Sequence, residues 1–355
     1  MERCYINGMG CISVQNTFEG NFLEHPIVYS DTNIIYAVKP NYKAFIPPAA
    51  IRRMSSGVKN SIVASALAIE QAQVNELDGI ITGTGMGCIQ DSEKFLEKMI
   101  DFNEEYLTPT SFIQSTHNTV SGQIALKLKC NAYNFTYVNT GGSFPSALLD
   151  GLMQIKNEGK NNILIGGIDE IADYTFKLYQ TIGHIKKDNE ESYHILESRS
   201  EGCVGGEGST FFVLSNEKQD QTYAEVLDAH LVNKLKKEQL EGFINNFLQR
   251  NNMNISDVDA VVLGNNGDVN FDTYYDEAER LFKSNSDLLY YKHLFGEFMT
   301  APSIAVWIAS NVLKEGKAPS VLYKNNEKGS DSIKTVLIYN QYRGKDHSLT
   351  LLKNV

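Results

Sequence analysis

The side chains that could act as nucleophiles are two hydroxyls beside a glycine turn and five cysteines. Thr140 and Ser143 flank Gly141-Gly142 at the start of a helix-like segment. A hydroxyl nucleophile needs an adjacent general base, and the neighbouring sequence offers none. A glycine turn that leads into a buried helix is therefore the favoured interpretation. Covalent catalysis by Thr140 or Ser143 stays open as a minor alternative.

The five cysteines form no Cys-x-x-Cys pair and show no zinc-like spacing. We therefore expect reduced thiols in a cytoplasmic protein. A reactive cysteine needs an accessible, electropositive environment, and none of the five has an obvious one. They are interpreted as small buried apolar side chains: Cys4, Cys11, Cys88, Cys130 and Cys203.

A glycine-rich turn, Gly83–Gly87, precedes Asp91 and invites comparison with phosphate-binding loops. It lacks the lysine of a P-loop, and one glycine-rich loop is weak evidence for a nucleotide. The turn is therefore interpreted as structural.

Short apolar runs alternate with helical patterns along the whole chain, which predicts an α/β protein with mixed or parallel sheets. Strands are predicted at Tyr5–Ile12, Asp78–Ile81, Phe135–Val138, Asn162–Ile165, Phe211–Leu214, Ala224–His230, Val258–Leu263 and Thr335–Tyr339. Helices are predicted at Ser55–Val74, Ser121–Leu128, Ser146–Ile155, Leu235–Leu248, Tyr274–Phe282 and Ser303–Leu313.

Two segments echo each other and indicate an internal duplication. Asp78–Gly83 and Asp259–Gly264 each run from an aspartate through an apolar strand to a glycine. The polar stretch Asn216–Gln221 separates the two repeats. We therefore divide the chain into halves at residues 1–220 and 221–355, which form one compact unit.

Composition excludes several classes of protein. The formal net charge of -11 makes nucleic acid a poor partner, because like charges repel. The same charge gives an acidic carrier protein no general attraction. No apolar run is long enough to span a membrane, and the first residues do not resemble a signal peptide. The cytoplasm is the expected location.

One long motif, Arg199–Leu214, combines an arginine, an acidic residue and a Gly-Gly-Glu-Gly run. Gly205, Gly206 and Gly208 permit a tight turn and close backbone approach, and Glu207 could accept hydrogen bonds from exposed amides. The motif resembles the Gly-Glu-Gly hairpin of β-ketoacyl synthases. Four other segments match that family in the same chain order: Gly8–Gly10, Ile51–Ser55, Phe135–Ile155 and Tyr291–Ala301.

The resemblance implies a thiolase fold, in which two duplicated α/β halves form a layered α-β-α-β-α arrangement. It also implies decarboxylative condensation by a cysteine and two histidines, supported by a lysine. Here the three catalytic positions are occupied by Gly142, Gly264 and Glu297, and the lysine is retained as Lys292. We expect Lys292 and Glu297 to form an ion pair and His293 to be a loop or partly buried residue. Of the family's C-terminal glycine loop, Gly344 remains.

A ketosynthase without its nucleophile resembles the chain-length factors of type II polyketide and aryl polyene systems. The resemblance then implies a heterodimer with a catalytic ketosynthase, an acyl carrier protein that acts through the complex, and no cofactor or metal. Acyl-pocket or dimer-interface residues are expected in one segment, where Asn118 would cap a helix and His117 would be a hydrogen-bonded interface residue: Phe112, Ile113, Ser115, Thr116, His117 and Asn118.

Two alternatives remain. The first is an active β-ketoacyl-carrier-protein synthase, acyltransferase or decarboxylase that uses non-standard residues. The second is a self-associating binding protein without catalysis. The expectation for the isolated chain is catalytic inactivity.

Overall fold

We describe a computed structural model that covers residues 2–19, 25–107, 109–188, 193–198, 200–324 and 329–355. Arg199, the arginine of the long motif, lies outside the described residues. Among these residues the strands are β1 Tyr5–Ser13, β2 Gly79–Gly83, β3 Tyr133–Tyr137, β4 Asn162–Asp169, β5 Gly208–Ser215, β6 Ala224–Lys234, β7 Ala260–Leu263, β8 Asp287–Tyr290, β9 Thr335–Tyr342 and β10 Lys345–Lys353.

The described helices range from single turns to the 17 residues of the second. They are α1 Pro48–Ile51, α2 Ser56–Ala72, α3 Ile89–Asp101, α4 Pro109–Ser115, α5 Thr119–Leu128, α6 Ser143–Lys156, α7 Asp173–Thr181, α8 Leu240–Arg250, α9 Thr273–Phe282, α10 Lys292–Phe295 and α11 Pro302–Glu315. Short 3-10 turns lie at Tyr42–Ala44, Thr140–Gly142, Ile195–Glu197, Lys237–Gln239, Ile255–Asp257 and Ser320–Leu322.

The ten strands form one sheet whose two halves repeat the same topology. The order is β3-β2-β4-β5-β1 and then β6-β10-β9-β7-β8. In the first half β2 is parallel to β3 and β4, and β5 is antiparallel to β4 and β1. In the second half β7 is parallel to β8 and β9, and β10 is antiparallel to β9 and β6. The duplication inferred from two short echoes is therefore present in the topology.

Three hydrophobic clusters lie in three helical layers, which gives the expected α-β-α-β-α arrangement. α2 and α5 cover the outer face of the first half-sheet. α6 and α11 lie between the two half-sheets and contact strands of both. α8 and α9 cover the outer face of the second half-sheet.

The continuous apolar strands are explained by burial on both faces. In β5, Phe211 and Val213 pack into the first outer layer, whereas Phe212 and Leu214 pack into the central layer. Successive side chains of a strand point to opposite faces. A strand between two helical layers therefore needs apolar residues at every position.

The glycines of β1 are required by the close approach of α2. A Cβ added to Gly8 or Gly10 would lie 2.1 Å from the carbonyl oxygen of Ala68 or Ala64. Any larger residue would push the helix away from the strand. The Gly-Met-Gly sequence therefore does not interrupt β1, which runs continuously from Tyr5 to Ser13.

The predicted elements are present, with changed ends in several cases. The helix expected from Leu235 begins at Leu240, because Lys237–Gln239 forms a separate 3-10 turn. The pattern did not reveal β8, β10, α3, α4 or α7. No described helix is long and apolar enough to cross a membrane.

Two local predictions were wrong. The segment before β5 is not a hairpin: Gly205 forms isolated parallel bridges with Ile34 and Glu297. Its glycines do not form a turn but let a neighbouring backbone segment pack closely. A Cβ on Gly206 would lie 2.1 Å from the Phe295 carbonyl oxygen. Asn118 precedes α5, but its side chain makes no capping hydrogen bond.

Candidate functional site

The head of α6 carries a glycine, Gly142, at the predicted nucleophile position. β3 ends at Tyr137, and the Thr140–Gly142 turn leads directly into α6. A Cβ on Gly142 would lie 2.8 Å from Asn139 Nδ2. Real Cβ contacts essentially never come this close, so the Asn139 side chain would have to move to admit a larger residue.

Ser143 is buried and its hydroxyl is already engaged. Its Oγ accepts a hydrogen bond from the Asn139 amide at 2.8 Å. The hydroxyl has carbonyl acceptors at Thr140, 2.7 Å away, and at Thr84, 2.9 Å away. The side chain therefore ties the turn to the end of β2 and is poorly placed for nucleophilic attack.

Thr140 has a carboxylate partner that the local sequence did not reveal. Its hydroxyl donates to Asp346 Oδ2, and Asp346 Oδ1 accepts from Asn233 Nδ2 at 2.6 Å. Thr140 is exposed and has φ +44°, a conformation disfavoured for a β-branched residue. The neighbouring sequence offers Thr140 no general base, but β10 supplies a carboxylate from a distant part of the chain.

Gly264 is the second vacated position and is enclosed by polar side chains. A Cβ there would lie 2.2 Å from Asn340 Oδ1 and 2.7 Å from the Tyr275 hydroxyl. Tyr291 donates to the same Asn340 oxygen at 3.1 Å. The network around Gly264 leaves no space for an imidazole.

Lys292 and Glu297 form the expected ion pair. Lys292 Nζ lies 2.6 Å from Glu297 Oε2, and both side chains are buried. Asn266 Nδ2 donates to the same oxygen at 2.6 Å. His293, by contrast, is directed to the Val321 carbonyl oxygen at 2.9 Å, and burial lowers its pKa to about 4. Lys292, the preceding residue, is part of the site, but His293 is not.

The loop that carries Asn266 is fixed by a second buried carboxylate. Asp272 accepts hydrogen bonds from the Asn266 amide at 3.0 Å and the Gly267 amide at 2.9 Å. Burial raises the pKa of Asp272 to about 6, although these two bonds act in the opposite direction. The loop therefore holds Asn266 ready for Glu297.

The long motif stabilises the same region through Glu207. Its two oxygens accept from the amides of Ala37 and Ile171, both at 2.9 Å. The expectation that Glu207 would bind exposed amides is confirmed. The Glu297 amide donates to the Val204 carbonyl at 2.7 Å, and the Gly206 amide donates to the Glu297 carbonyl at 3.0 Å.

A cavity opens beside the Lys292–Glu297 pair, between α7 and the turn that joins β9 and β10. The centres of water-sized molecules have about 80 Å³ of free volume in it. Its wall is mainly apolar and includes six aromatic and sulfur-containing side chains: Phe176, Tyr179, Cys203, Phe298, Met299 and Tyr342. Asn266, Glu297 and Arg343 are among its polar groups.

The family comparison agrees with this architecture. Residues 30–190 match the family described as "Beta-ketoacyl synthase, N-terminal domain". This part of the chain is therefore similar to the N-terminal domain of β-ketoacyl synthases. No curated protein sequence matches the chain significantly.

Solved ketosynthase structures share the fold over the whole chain. A chain of "The ishigamide ketosynthase/chain length factor" has a TM-score of 0.82 at 16% identity, covering 100% of this chain and 99% of that one. A β-ketoacyl synthase from Burkholderia phymatum has a TM-score of 0.84 at 15% identity, with 100% of both chains covered. A chain from the complex of the ketosynthase ApeO with its chain length factor ApeC, from Xenorhabdus doucetiae, has a TM-score of 0.80 at 14% identity, covering 100% and 98%.

Within this ketosynthase fold the five cysteines are free, and four of them are buried. Burial raises the pKa of Cys4 and Cys88 to about 12 and of Cys11 to about 11. The pKa of Cys203, in the cavity wall, is also raised, and its thiol donates to the His184 carbonyl at 3.2 Å. A thiolate is disfavoured at these four positions.

The Gly83–Gly87 turn binds a carboxylate of the protein itself. The amides of Gly85 and Met86 donate to Asp169 Oδ1 at 2.8 and 3.2 Å. A Cβ on Gly83 would lie 2.5 Å from the Ser143 carbonyl oxygen. The structural interpretation of this turn accounts for its glycines without a nucleotide.

The predicted interface segment lies on the surface of this ketosynthase-like chain. The side chains of Phe112 and Ile113 are 57% and 59% exposed. Ser115 is partly exposed, and Thr116, His117 and Asn118 are exposed. His117 lies against Gly87. No described residue hydrogen-bonds to its ring, so the expected bond would have to come from a partner.

Two features of the site were missed in the sequence. Asp346 is separated from Thr140 by 206 positions, and no motif connects them. Asn266 lies two residues after Gly264, but an asparagine in a loop carries no signal for a buried carboxylate partner. Both depend on contacts between the two halves of the fold or between distant loops.

Proposed function

We propose that this chain is a non-condensing, ketosynthase-like subunit that pairs with an active ketosynthase and shapes its acyl or polyketide pocket. One observation carries the proposal: the three positions predicted for the catalytic cysteine and histidines hold two glycines and a glutamate. Gly142 and Gly264 have no side chain, and neighbouring side chains would have to move to admit one, and Glu297 is paired with Lys292.

Loss of these groups removes the chemistry of condensation. A thioester of the growing chain needs a nucleophile, and the carbanion left by decarboxylation needs donors. Glu297 is an acceptor in this arrangement, since its Oε2 receives bonds from Lys292 and Asn266. It cannot replace a histidine that donates to developing negative charge.

An exposed edge of the sheet supports pairing with a second subunit. We define the β3 edge as Leu126, Tyr133, Phe135, Val138 and Met153, which are between 39% and 74% exposed. β3 is the last strand of the sheet and pairs only with β2. Unpaired strand edges and contiguous apolar side chains mark association surfaces.

The structural neighbours support a heterodimeric setting. They include structures named as a ketosynthase/chain length factor and as a ketosynthase in complex with its chain length factor. A further neighbour, at 16% identity and a TM-score of 0.77 with 100% of this chain and 99% of that chain covered, is a type II acyl-carrier-protein complex with its ketosynthase. Because this chain carries a net charge of -11, we infer that a carrier protein docks mainly through the partner.

The test combines pull-down with mass spectrometry. The tagged chain is expressed alone and together with an intact ketosynthase from the same source. We expect a stable one-to-one complex, and no acyl adduct or malonyl decarboxylation by the chain alone. Condensing activity without the partner would contradict the proposal, and a homodimer that ignores the ketosynthase would favour a self-associating binding protein.

A second candidate, acyl transfer through Thr140, rests on the hydrogen bond from its hydroxyl to Asp346. A carboxylate can accept the proton when a hydroxyl attacks a thioester. The same mass spectra test it, because an acyl adduct that maps to Thr140 and disappears in Thr140→Val would establish this alternative.

A further inference from the structure

Three carboxylates line the cavity beside α7, and they differ in how far their oxygens are used. Asp169 accepts three bonds at Oδ1, from Thr84 and two amides, and two at Oδ2, both from Thr300. Glu170 accepts from Gln90 at Oε1 and from Gly57 and Ser56 at Oε2. Both carboxylates are therefore saturated by the protein.

Glu297 is saturated on one side only. Lys292 and Asn266 both donate to its Oε2. No described residue donates to Oε1, and Glu297 lines the cavity. Because Glu297 lines the cavity, a hydrogen-bond donor that enters from the cavity can reach this free oxygen.

The charged groups nearest to Glu297 are paired with one another. Lys292 neutralises Glu297 at 2.6 Å. Arg343 lies 3.2 Å from Asp268, whose side chain is buried. Burial and the nearby Arg343 lower the pKa of His184, which keeps this imidazole neutral. A charged ligand would leave one of these pairs uncompensated, whereas a neutral ligand would not.

The lining of the cavity favours a ligand that is mainly apolar. Phe176, Tyr179, Phe298 and Met299 line it, and Tyr342 stands beside Arg343. An apolar pocket with a few fixed polar groups is the usual design of small-molecule sites.

We propose that this cavity is a ligand site of the subunit itself, for a neutral amphipathic molecule whose hydroxyl or amide N–H donates to Glu297 Oε1. We expect no thioester adduct in the site, because burial raises the pKa of Cys203, the thiol in its wall. The inference does not depend on pairing with a ketosynthase, so the two proposals can fail separately.

The probes are 2-nonanol and 2-nonanone, which have the same carbon skeleton but differ in hydrogen-bond donation. Calorimetric titration of the full chain should show that the alcohol binds about tenfold more tightly. The alcohol can donate a hydrogen bond to Glu297, whereas the ketone has no donor and its oxygen would be repelled by the carboxylate. In Glu297→Gln the amide oxygen can keep the bonds from Lys292 and Asn266, and the amide N–H₂ then faces the cavity. We expect the alcohol preference to vanish or reverse.

Two further variants separate this effect from instability. Thr175→Phe fills the cavity from α7 and should abolish binding of both probes, even if Glu297→Gln does not fold. Glu241→Gln removes an exposed carboxylate and should change neither affinity. Equal affinity for alcohol and ketone, alcohol binding that survives Thr175→Phe, or no binding at all, as expected of a cavity that holds water only, would each overturn the proposal.

Discussion

At the scale of single residues, Glu297, at the position predicted for a catalytic histidine, belongs to a buried ion pair. Lys292 and Glu297 are connected by charge at 2.6 Å, and Asn266 adds a third group. Taking two charges out of water is costly, and a buried pair is worth little more than an apolar pair of the same shape. Removal of either partner should nevertheless destabilise the fold, because the other buried charge would then have no counter-charge.

Lys292→Met should therefore destabilise the protein by about 3–5 kcal/mol. The double variant Lys292→Met/Glu297→Met should recover most of this loss, since no charge remains unpaired. Urea unfolding monitored by circular dichroism measures both. If the double variant is as unstable as the sum of the single variants, the pair is not the cause.

The matched control is an exposed pair on α9. Arg280 and Glu277 lie 2.8 Å apart, but their side chains are 60% and 32% exposed. Solvent-exposed pairs contribute at most about 1 kcal/mol. Arg280→Met should therefore change the free energy of unfolding much less than Lys292→Met.

At the scale of elements, one buried carboxylate joins the first turns of two helices. Glu170 follows β4 and accepts from the Gly57 amide of α2 at 2.6 Å and the Gln90 amide of α3 at 3.0 Å. Helix N-termini attract negative charge. Burial nevertheless raises the pKa of Glu170 to about 7, because the hydrogen bonds it accepts do not offset desolvation.

This raised pKa predicts the pH dependence of stability. The folded state binds the proton more tightly than the unfolded state, so the contribution of Glu170 is complete below about pH 4.5 and is lost as the pH rises through about 7. The loss between these limits is about 3 kcal/mol. Denaturation at pH 5, 6, 7 and 8 should give a flatter profile for Glu170→Gln than for the natural sequence.

Burial also raises the pKa of Asp169, Glu207 and Asp272, so these groups add a slope of the same sign that Glu170→Gln leaves in place. Glu97→Gln on the exposed side of α3 is the control, and its profile should match that of the unmodified protein. Parallel profiles for Glu170→Gln and the unmodified protein would show that the proton is not taken up at Glu170.

At the scale of the whole molecule, the sheet ends in an aromatic ladder. Tyr133, Phe135 and Tyr137 lie on one face of β3, with ring centroids 6.2 and 4.9 Å apart along the strand. Asp150 of α6 accepts from both tyrosine hydroxyls. The ladder is therefore ordered in the isolated chain, which lowers the entropy cost of binding a partner.

Phe135→Glu should weaken the complex with a ketosynthase by about tenfold or more, because it places a charge at the centre of an apolar contact. It should leave the fold intact, since Phe135 is 45% exposed. Co-purification and size-exclusion titration measure the effect. Leu178→Glu, at an exposed position on α7, is the control; an equal loss of pairing in both variants would argue against the β3 edge as the contact.

The sequence alone predicted the class of the fold and the ion pair, both of which the structure contains. Apolar runs such as Phe211–Leu214 predict strands buried on both faces, because the two-residue period of a strand leaves them no solvent side. The register around Lys292 and Gly296 placed Glu297 at a catalytic position, because both residues belong to one short continuous segment.

Only the tertiary structure decided which distant groups meet. Asp346 reaches Thr140 because the β9–β10 turn folds over the head of α6, and Asn266 reaches Glu297 because Asp272 holds its loop. Such contacts depend on how two half-sheets pack around α6 and α11, and no local pattern encodes that geometry. The same packing leaves one oxygen of Glu297 open to the cavity, a property of an arrangement in space that no residue type reveals.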